Sequence, residues 1–242
     1  MAKLLPHSWA VPPIFRERLG SQGGRQRTMV ADGHLLLVLH EPPEPGVPER
    51  KHRLFWRSPE GSWQATVKPA GLGAVYAHLD AFTRAVDGLE ARLATARAAA
   101  EYFAVLQAAT PLVRTARHLW RAMQDAREGV PKDHDLIVLR DKADDVQRAA
   151  ELVHEHAEDG LAFALANAAE EQARQGADIA RASHRLNLLA AMFFPVTAIA
   201  TIFGMQLDHG FGQSGAPFVF WGVVAAAFVL GLGLRASLAP RT

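Results

Sequence analysis

The sequence predicts a mostly α-helical membrane protein. It has two C-terminal transmembrane helices, a long stalk helix continuous with the first of them, and a small N-terminal cytoplasmic domain that contains β-strands. Three observations predict this class: two uncharged apolar runs near the C-terminus, a charge-rich stretch without proline before them, and short β-type segments between proline-rich stretches in residues 1–73.

The composition excludes several classes of function. The chain has 242 residues, a net charge of +1 and no cysteine. A near-neutral charge gives no electrostatic reason to expect a nucleic-acid partner, and the lack of cysteine excludes disulfides and thiolate metal sites. The sequence contains no phosphate-binding loop and no Ser-His-Asp order typical of hydrolases. We therefore expect neither an enzyme nor a tightly bound cofactor.

Residues 1–73 predict a small β-containing cytoplasmic segment. The first 26 residues are rich in Pro, Arg and Gly and are expected to be irregular. The run HLLLVLH at 34–40 predicts a strand, and residues 53–67 predict a hairpin around a Ser-Pro-Glu-Gly turn. A sheet of about three strands is only marginally stable by itself, so we expect it to pack on the helices.

Residues 74–132 predict a helical hairpin of the cytoplasmic domain. Up to residue 109 the stretch has no proline. Its apolar side chains recur at helical spacing, at Leu79, Phe82, Val86, Leu89 and Leu93. Because proline is favoured in the first turn of a helix, a second helix is expected to start at Pro111.

Residues 133–185 predict a stalk helix, because no proline follows until Pro195. Its carboxylates indicate either a solvated face with ion pairs one turn apart or a cation-sensing acidic cluster between subunits. His154 and His156 point to different sides of a helix and do not share one metal ion. His154 and Glu158 are correctly spaced, but one such pair does not predict a metal site.

Two apolar runs follow the stalk. Residues 186–205 and 217–234 carry no formal charge, and each is long enough to span the hydrocarbon of a bilayer. We predict transmembrane helices at 186–206 and 217–236, an external loop at 207–216 and a cytoplasmic tail at 237–242. A buried hairpin in a soluble core is the alternative. Arginines flank both runs and are absent from the loop, so both termini are expected in the cytoplasm.

The first apolar run has a polar face. Steps of four and three from Ser183 reach Asn187, Ala190, Phe194, Thr197, Thr201 and Gly204. A repeat of about 3.5 residues is typical of helices wound around one another, and polar residues in a bilayer usually face a bundle interior or a watery path. Two spans are too few to enclose a path, so the face predicts a homo-oligomer. A packing seam of small residues that lines no pore is the equal alternative.

The segment LNLLAAMFFPVTAIATIFGMQL resembles the pore helix of the CorA-type magnesium and divalent cation transporter family. Pro195, Thr197, Gly204 and Met205 match the family's Pro-x-Thr element and the start of its Gly-Met-Asn signature. Gln206 stands where that family has asparagine, which makes the triad Gly-Met-Gln. The resemblance extends over about residues 135–238 in the order stalk, first span, second span.

This resemblance implies a homopentamer in the inner membrane whose first spans line a pore. The implied pore-lining residues are Leu186, Asn187, Ala190, Phe194, Thr197, Thr201, Gly204 and Met205. Gln206 would offer side-chain amides to a hydrated cation at the outer mouth, and a ring of Asp208 would concentrate cations there. The family has regulatory divalent sites that are built from cytoplasmic carboxylates between subunits. Asp144 and Asp145 fall in a comparable stretch of the stalk, so the resemblance makes them candidate metal ligands.

The expected function is a homopentameric channel or transporter for Mg²⁺ or another divalent cation, with zinc as the alternative ion. The divalent cation is both cargo and a candidate regulator, and the expected partners are other copies of the chain and the lipid bilayer, with no nucleic acid. The alternative function is a non-selective or non-conducting CorA-like membrane scaffold or effector with a cytoplasmic protein partner. The altered triad and the short N-terminal segment favour that alternative.

Overall fold

The computed structural model describes residues 4–19, 24–44, 51–204, 218, 221, 222, 224–226, 228, 229 and 231–233. The chain divides into two compact units, Met1–Ala166 and Asn167–Thr242. The elements in chain order are α1 (Pro13–Arg18), β1 (Arg27–Ala31), β2 (His34–His40), β3 (His52–Arg57), β4 (Trp63–Ala65), α2 (Leu72–Thr95), α3 (Ala99–Gly129) and α4 (His134–Gly204). The fold is thus mostly helical, with an N-terminal sheet and a long final helix, as the sequence predicts.

The sheet has one strand more than expected. Its four strands are antiparallel in the order β1-β2-β3-β4, and Ala31 pairs with His34 across the first turn. Asp32 and Gly33 form that turn with φ values of 51° and 76°. Positive φ at both central positions is typical of two-residue hairpins, and Asp-Gly is a strong sequence signal for them. The Asp-Gly signal accounts for strand β1, which is not among the strands expected from residues 34–40 and 53–67.

Both faces of the sheet are covered. Leu35, Leu37 and Leu39 on one face join Phe55 in a core shared with the helices, as expected. The intervening Leu36 and Val38 pack in a second cluster whose other members come from β3 and from the N-terminal segment: Leu54, Trp56, Leu5, Trp9, Phe15 and Leu19. A strand buried on both sides has no polar alternation, which accounts for the continuous apolar run of β2. Residues 4–19 are therefore a packed layer, and the expectation that they are irregular is wrong for α1.

The corner between α2 and α3 lies at residues 96–98, so the predicted helix start at Pro111 is wrong. The Glu101 carboxylate accepts hydrogen bonds from the backbone N–H groups of Arg97 at 2.6 Å and Ala98 at 3.0 Å. The Tyr102 hydroxyl donates to the Ala96 carbonyl at 3.0 Å. These side chains satisfy the exposed backbone groups of a corner that has no glycine or proline. Pro111 lies on the exposed side of α3, where water can bond to the carbonyl left without an N–H donor.

The first part of α4 packs on α2 and α3. Its buried side chains recur in alternating steps of three and four: Leu136, Leu139, Ala143, Val146, Ala150, Val153 and Ala157. This spacing places one continuous stripe of α4 in the main core. In the second unit, residues 167–187 of α4 are exposed in the single chain.

Among the described residues, no helix contains a stretch both long and apolar enough to cross a membrane. The predicted loop at 207–216 and tail at 237–242 lie outside the described residues, as do nine of the 20 residues of the predicted second span at 217–236. The two transmembrane helices therefore stay a prediction.

Candidate functional site

Apart from Met205, the predicted pore-lining residues lie in the C-terminal part of α4, in the second unit. The side chains of Leu186 and Phe194 are 66% and 72% exposed. The remaining side chains of the predicted face whose burial the structure describes are also exposed: Asn187, Ala190, Thr197 and Thr201. The predicted polar face is thus a single continuous surface that the described part of the chain leaves uncovered.

A neighbouring face of the same helical segment is partly covered. Leu188, Met192 and Val196, spaced four residues apart, are half-buried. A Cβ added to Gly231 would lie 3.2 Å from the backbone oxygen of Met192, so the backbone near residue 231 approaches α4 closely. The intramolecular contact therefore uses an apolar face of α4 and leaves the face of Asn187, Thr197 and Thr201 available to a partner.

The threonine hydroxyls on the exposed face bond to the helix itself. Thr197 Oγ1 donates to the carbonyls of Phe193 and Phe194, each at 3.0 Å, and Thr201 Oγ1 donates to the Thr197 carbonyl at 2.7 Å. A hydroxyl that donates in this way keeps acceptor lone pairs. Outward-facing acceptors are the chemistry needed to receive a cation or the hydrogens of its hydration water.

The predicted outer mouth is only partly described. Gly204 is the last residue of α4, and Met205, Gln206 and Asp208 lie outside the described residues. The roles of Gln206 and Asp208 therefore stay predictions from the sequence and from the resemblance.

The stalk carboxylates Asp144 and Asp145 are adjacent in sequence and share one positively charged side chain, that of Arg148. Arg148 contacts Asp144 at 2.7 Å, one turn away, and Asp145 at 3.5 Å. The Asp144 side chain is 28% exposed and that of Asp145 is 77% exposed. This arrangement is a surface ion-pair cluster with one carboxylate in excess, and such pairs contribute little to stability.

His154 contacts groups of two helices. Its Nδ1 lies 3.6 Å from the Glu158 carboxylate, and its Nε2 lies 3.3 Å from the Thr110 hydroxyl of α3. Within the described ranges, no three His, Asp or Glu side chains are grouped so that they could hold a metal ion. His154 and Glu158 thus lie in contact, as their spacing of four residues allows, and the Thr110 hydroxyl lies on the other side of the ring.

The first unit also contains a polar cleft that no sequence motif predicts. It has a volume of about 300 Å³ and is lined by Arg25, Gln26, His40, Arg114, Thr115 and His118. Gln26 Nε2 donates to the Thr115 carbonyl across 89 residues of sequence, at 2.9 Å. The lining residues come from three separate segments without a shared motif, so only the tertiary fold reveals the cleft.

The comparisons with known proteins bear on the fold. No family model matches the chain, and no curated protein matches it. The cytoplasmic domain of ZntB from Vibrio parahaemolyticus RIMD 2210633 is similar with a TM-score of 0.53 at 15% identity, over 66% of this chain and 80% of that one.

Full-length CmaX is similar with a TM-score of 0.55 at 14% identity, over 95% of this chain and 83% of that one. The CorA magnesium transporter from Methanocaldococcus jannaschii gives a TM-score of 0.42 at 12% identity, over 88% of this chain and 78% of that one. The first two likenesses show that the chain has the fold shared by the ZntB cytoplasmic domain and CmaX.

Proposed function

We propose that this chain is a CorA-type membrane protein that assembles as a homopentamer in the inner membrane and passes Mg²⁺ or another divalent cation. The observation that carries the proposal is the exposed polar face of α4, which combines Asn187, Thr197 and Thr201 in a segment without formal charge. The fold shared with CmaX and with the ZntB cytoplasmic domain supports the same assignment.

The pore proposal follows from the two faces of the segment. An uncharged helical segment of residues 186–204 has an apolar face that is partly covered within its own unit and a polar face that is not. In a bilayer a polar face is stable only against another polar face or water. Symmetric copies of α4 around an axis would place Asn187, Thr197 and Thr201 in rings along a watery path.

The mouth of the pore is proposed at Gln206 and Asp208. Magnesium loses its hydration water reluctantly, so a selective mouth must bond to those waters instead of replacing them. Rings of Gln206 amides supply the acceptors and donors for such contacts. A ring of Asp208 carboxylates raises the local cation concentration at the entrance. The longer side chain of Gln206 compared with asparagine gives a mouth of different width. Zinc is the alternative ion, since the chain contains eleven histidines.

The proposed regulation uses the stalk. The cluster of Asp144, Asp145 and Arg148 has a net charge of one negative unit. Neighbouring stalks in an oligomer would therefore repel each other at this cluster. A bound divalent cation would offset that repulsion and favour the closed arrangement. Because Arg148 already neutralises part of the cluster, the effect is expected to be modest.

A non-conducting scaffold is the second candidate function. The observation that favours it is Gln206 in place of the asparagine of the family signature. This scaffold would anchor a cytoplasmic protein partner through the first unit. It predicts that no ion flux accompanies assembly.

The experiment is a flux assay with the full-length chain in liposomes that contain a Mg²⁺-sensitive dye. We expect Mg²⁺ entry driven by a negative internal potential, and we expect Thr201→Val to reduce it by removing acceptors from the proposed path. Leu188→Ile, on the partly covered face, is the matched control and should leave the flux unchanged. If neither the wild type nor Gln206→Asn conducts any divalent cation, the scaffold replaces the channel as the proposal.

A further inference from the structure

We propose that the cleft between the sheet and α3 is a binding site for a phosphate group, either free phosphate or the phosphate of a small phosphorylated molecule. The cleft has a volume of about 300 Å³ and lies where the segment before β1 and the end of β2 meet the middle of α3. This inference concerns the first unit and is independent of ion transport.

The lining of the cleft carries two permanent positive charges. Arg25 and Arg114 contribute two guanidinium groups, and His40 and His118 contribute two imidazoles. Among the described residues, no aspartate or glutamate lines the cleft, and neither arginine takes part in an ion pair. Two guanidinium groups around one small space repel each other unless an anion lies between them.

Gln26 fixes the floor of the cleft. Its Oε1 accepts a hydrogen bond from the His40 backbone N–H at 3.2 Å, while its Nε2 donates to the Thr115 carbonyl at 2.9 Å. Next to it, Thr28 Oγ1 donates to the Ala122 carbonyl at 2.5 Å. The bonds of Gln26 and Thr28 to α3 hold the chain around the start of β1 against α3 beside the cleft, so the shape of the site exists before any ligand binds.

The base and the rim of the cleft have different polar groups. His40 is only 5% exposed, and its Nε2 lies 2.8 Å from the Gly24 carbonyl. Arg25 and Arg114 are exposed at the rim. Because the Gln26 amide is occupied by protein partners, the exposed side chains of Arg25 and Arg114 are the groups that would bind the ligand.

Phosphate is the anion that fits these groups best. Planar guanidinium groups bond to pairs of phosphate oxygens in the same plane, and two of them can bind a tetrahedral oxyanion from two directions. Arg114 and His118 are one helical turn apart on α3 and present their side chains on the same side. A space of about 300 Å³ is at the small end of ligand pockets, which favours a phosphate or a small monoester over a large ligand.

The test is isothermal titration calorimetry on the full-length chain at constant ionic strength, with inorganic phosphate and with glycerol 3-phosphate. We expect saturable binding of at least one of them and about tenfold weaker binding by Arg114→Gln, since one charge-assisted pair is lost. Arg121→Gln is the matched control. It removes the same charge from an exposed position of α3 outside the cleft lining and should bind like the wild type.

The two titrants separate the sources of the phosphate group. Tighter binding of glycerol 3-phosphate indicates a phosphorylated small molecule, and tighter or equal binding of inorganic phosphate indicates the free ion. If Arg114→Gln does not fold, Arg25→Gln, in the same cleft lining, takes its place with the same expected loss. No saturable heat with either titrant overturns the proposal, as does equal loss in Arg121→Gln or tighter binding of the dicarboxylate malonate.

Discussion

Arg57 and Asp133 form a nearly buried ion pair that joins the sheet to the start of the longest helix. Arg57 Nε lies 2.5 Å from Asp133 Oδ2, and the two side chains are 11% and 9% exposed. The other carboxylate oxygen, Oδ1, accepts the backbone N–H groups of Asp135 at 2.9 Å and Leu136 at 3.3 Å. Asp133 therefore caps α4 and neutralises Arg57 with the same carboxylate.

The first prediction concerns this pair. Asp133→Ala leaves the Arg57 charge buried without a partner and also removes the cap, so the free energy of unfolding should fall by about 3–5 kcal/mol. Asp133→Asn keeps a side-chain oxygen that can accept the capping hydrogen bonds, so its free energy of unfolding should fall less than that of Asp133→Ala. Thermal unfolding of the full-length chain, followed by circular dichroism, measures both effects.

The double variant Arg57→Met with Asp133→Asn is the control for that prediction. Removing both charges together should restore part of the stability lost in Asp133→Ala, because no uncompensated charge then remains. If the effects of Arg57→Met and Asp133→Asn simply add, the ion pair does not couple the sheet to α4.

The second prediction concerns the acid sensitivity of His78. The ring is 2% exposed and lies between Phe55 at 5.4 Å and Phe82 at 5.5 Å. Burial, with a smaller contribution from the Arg53 charge, lowers the pKa of His78 from 6.5 to about 4. Among the described residues, its Nε2 has no hydrogen-bond partner.

Because the folded-state pKa of His78 is the lower one, the unfolded chain binds the proton more readily between about pH 6.5 and pH 4. The free energy of unfolding should therefore be highest above pH 6.5 and fall by up to about 3 kcal/mol on acidification to pH 4. Melting temperatures at pH 7 and pH 5 measure this loss. His78→Leu should show a smaller loss over the same interval, and an identical loss would assign the acid sensitivity to other groups.

The third prediction concerns Gly160, where α4 passes the corner between α2 and α3. A Cβ at Gly160 would overlap Cε1 of Tyr102, the residue whose hydroxyl bonds to the Ala96 carbonyl. Alanine ordinarily stabilises a helix relative to glycine by about 1 kcal/mol. Here Gly160→Ala should instead lower the melting temperature, since the rigid ring must move and overpacking costs about 1–3 kcal/mol.

Gly176→Ala is the matched control for Gly160→Ala. Gly176 lies in the same helix with no atom within 4 Å of its added Cβ. This substitution should leave stability unchanged or raise it by up to about 1 kcal/mol through helix propensity. A stabilised Gly160→Ala would show that Tyr102 does not hold the corner in the described position.

Local patterns predict the parts of the fold that depend on neighbouring residues. The apolar run of β2, the Ser-Pro-Glu-Gly turn before β4 and the proline-free length of α4 are of this kind, and the structure contains all three elements. The corner at residues 96–98 is not predictable from a local pattern. Glu101 and Tyr102 bond to its backbone, and both residue types are also common inside helices. The layer of Trp9 against Trp56, with ring centroids 5.9 Å apart, depends on contacts distant in sequence.

The candidate sites divide in the same way. The polar face of Asn187, Thr197 and Thr201 is visible in the sequence because all its members belong to one helix, where spacing alone determines the face. The cleft lined by Arg25 and Arg114 has no such signal, since Gln26 and Thr115 meet only after β1 packs on α3. Helical faces are therefore predictable from sequence, whereas sites assembled from several elements require the structure.

The fourth prediction concerns Asp208 at the proposed mouth. A carboxylate ring that attracts cations matters most when they are scarce, because at saturating concentration the entrance is occupied regardless of its charge. Asp208→Asn should thus reduce Mg²⁺ flux several-fold at low concentration and far less at saturation. Flux into liposomes as a function of Mg²⁺ concentration measures the difference.

The matched control for Asp208→Asn is Asp178→Asn, which removes the same charge from an exposed position of α4 paired with Arg181 at 2.9 Å. It should leave the concentration dependence unchanged, because a charge in the stalk is not at the proposed entrance. High ionic strength should weaken the effect of Asp208→Asn, since salt screens the attraction over about 10 Å at 0.1 M. An equal loss of flux at low and saturating Mg²⁺ would contradict a concentrating role and assign Asp208 to the structure of the mouth.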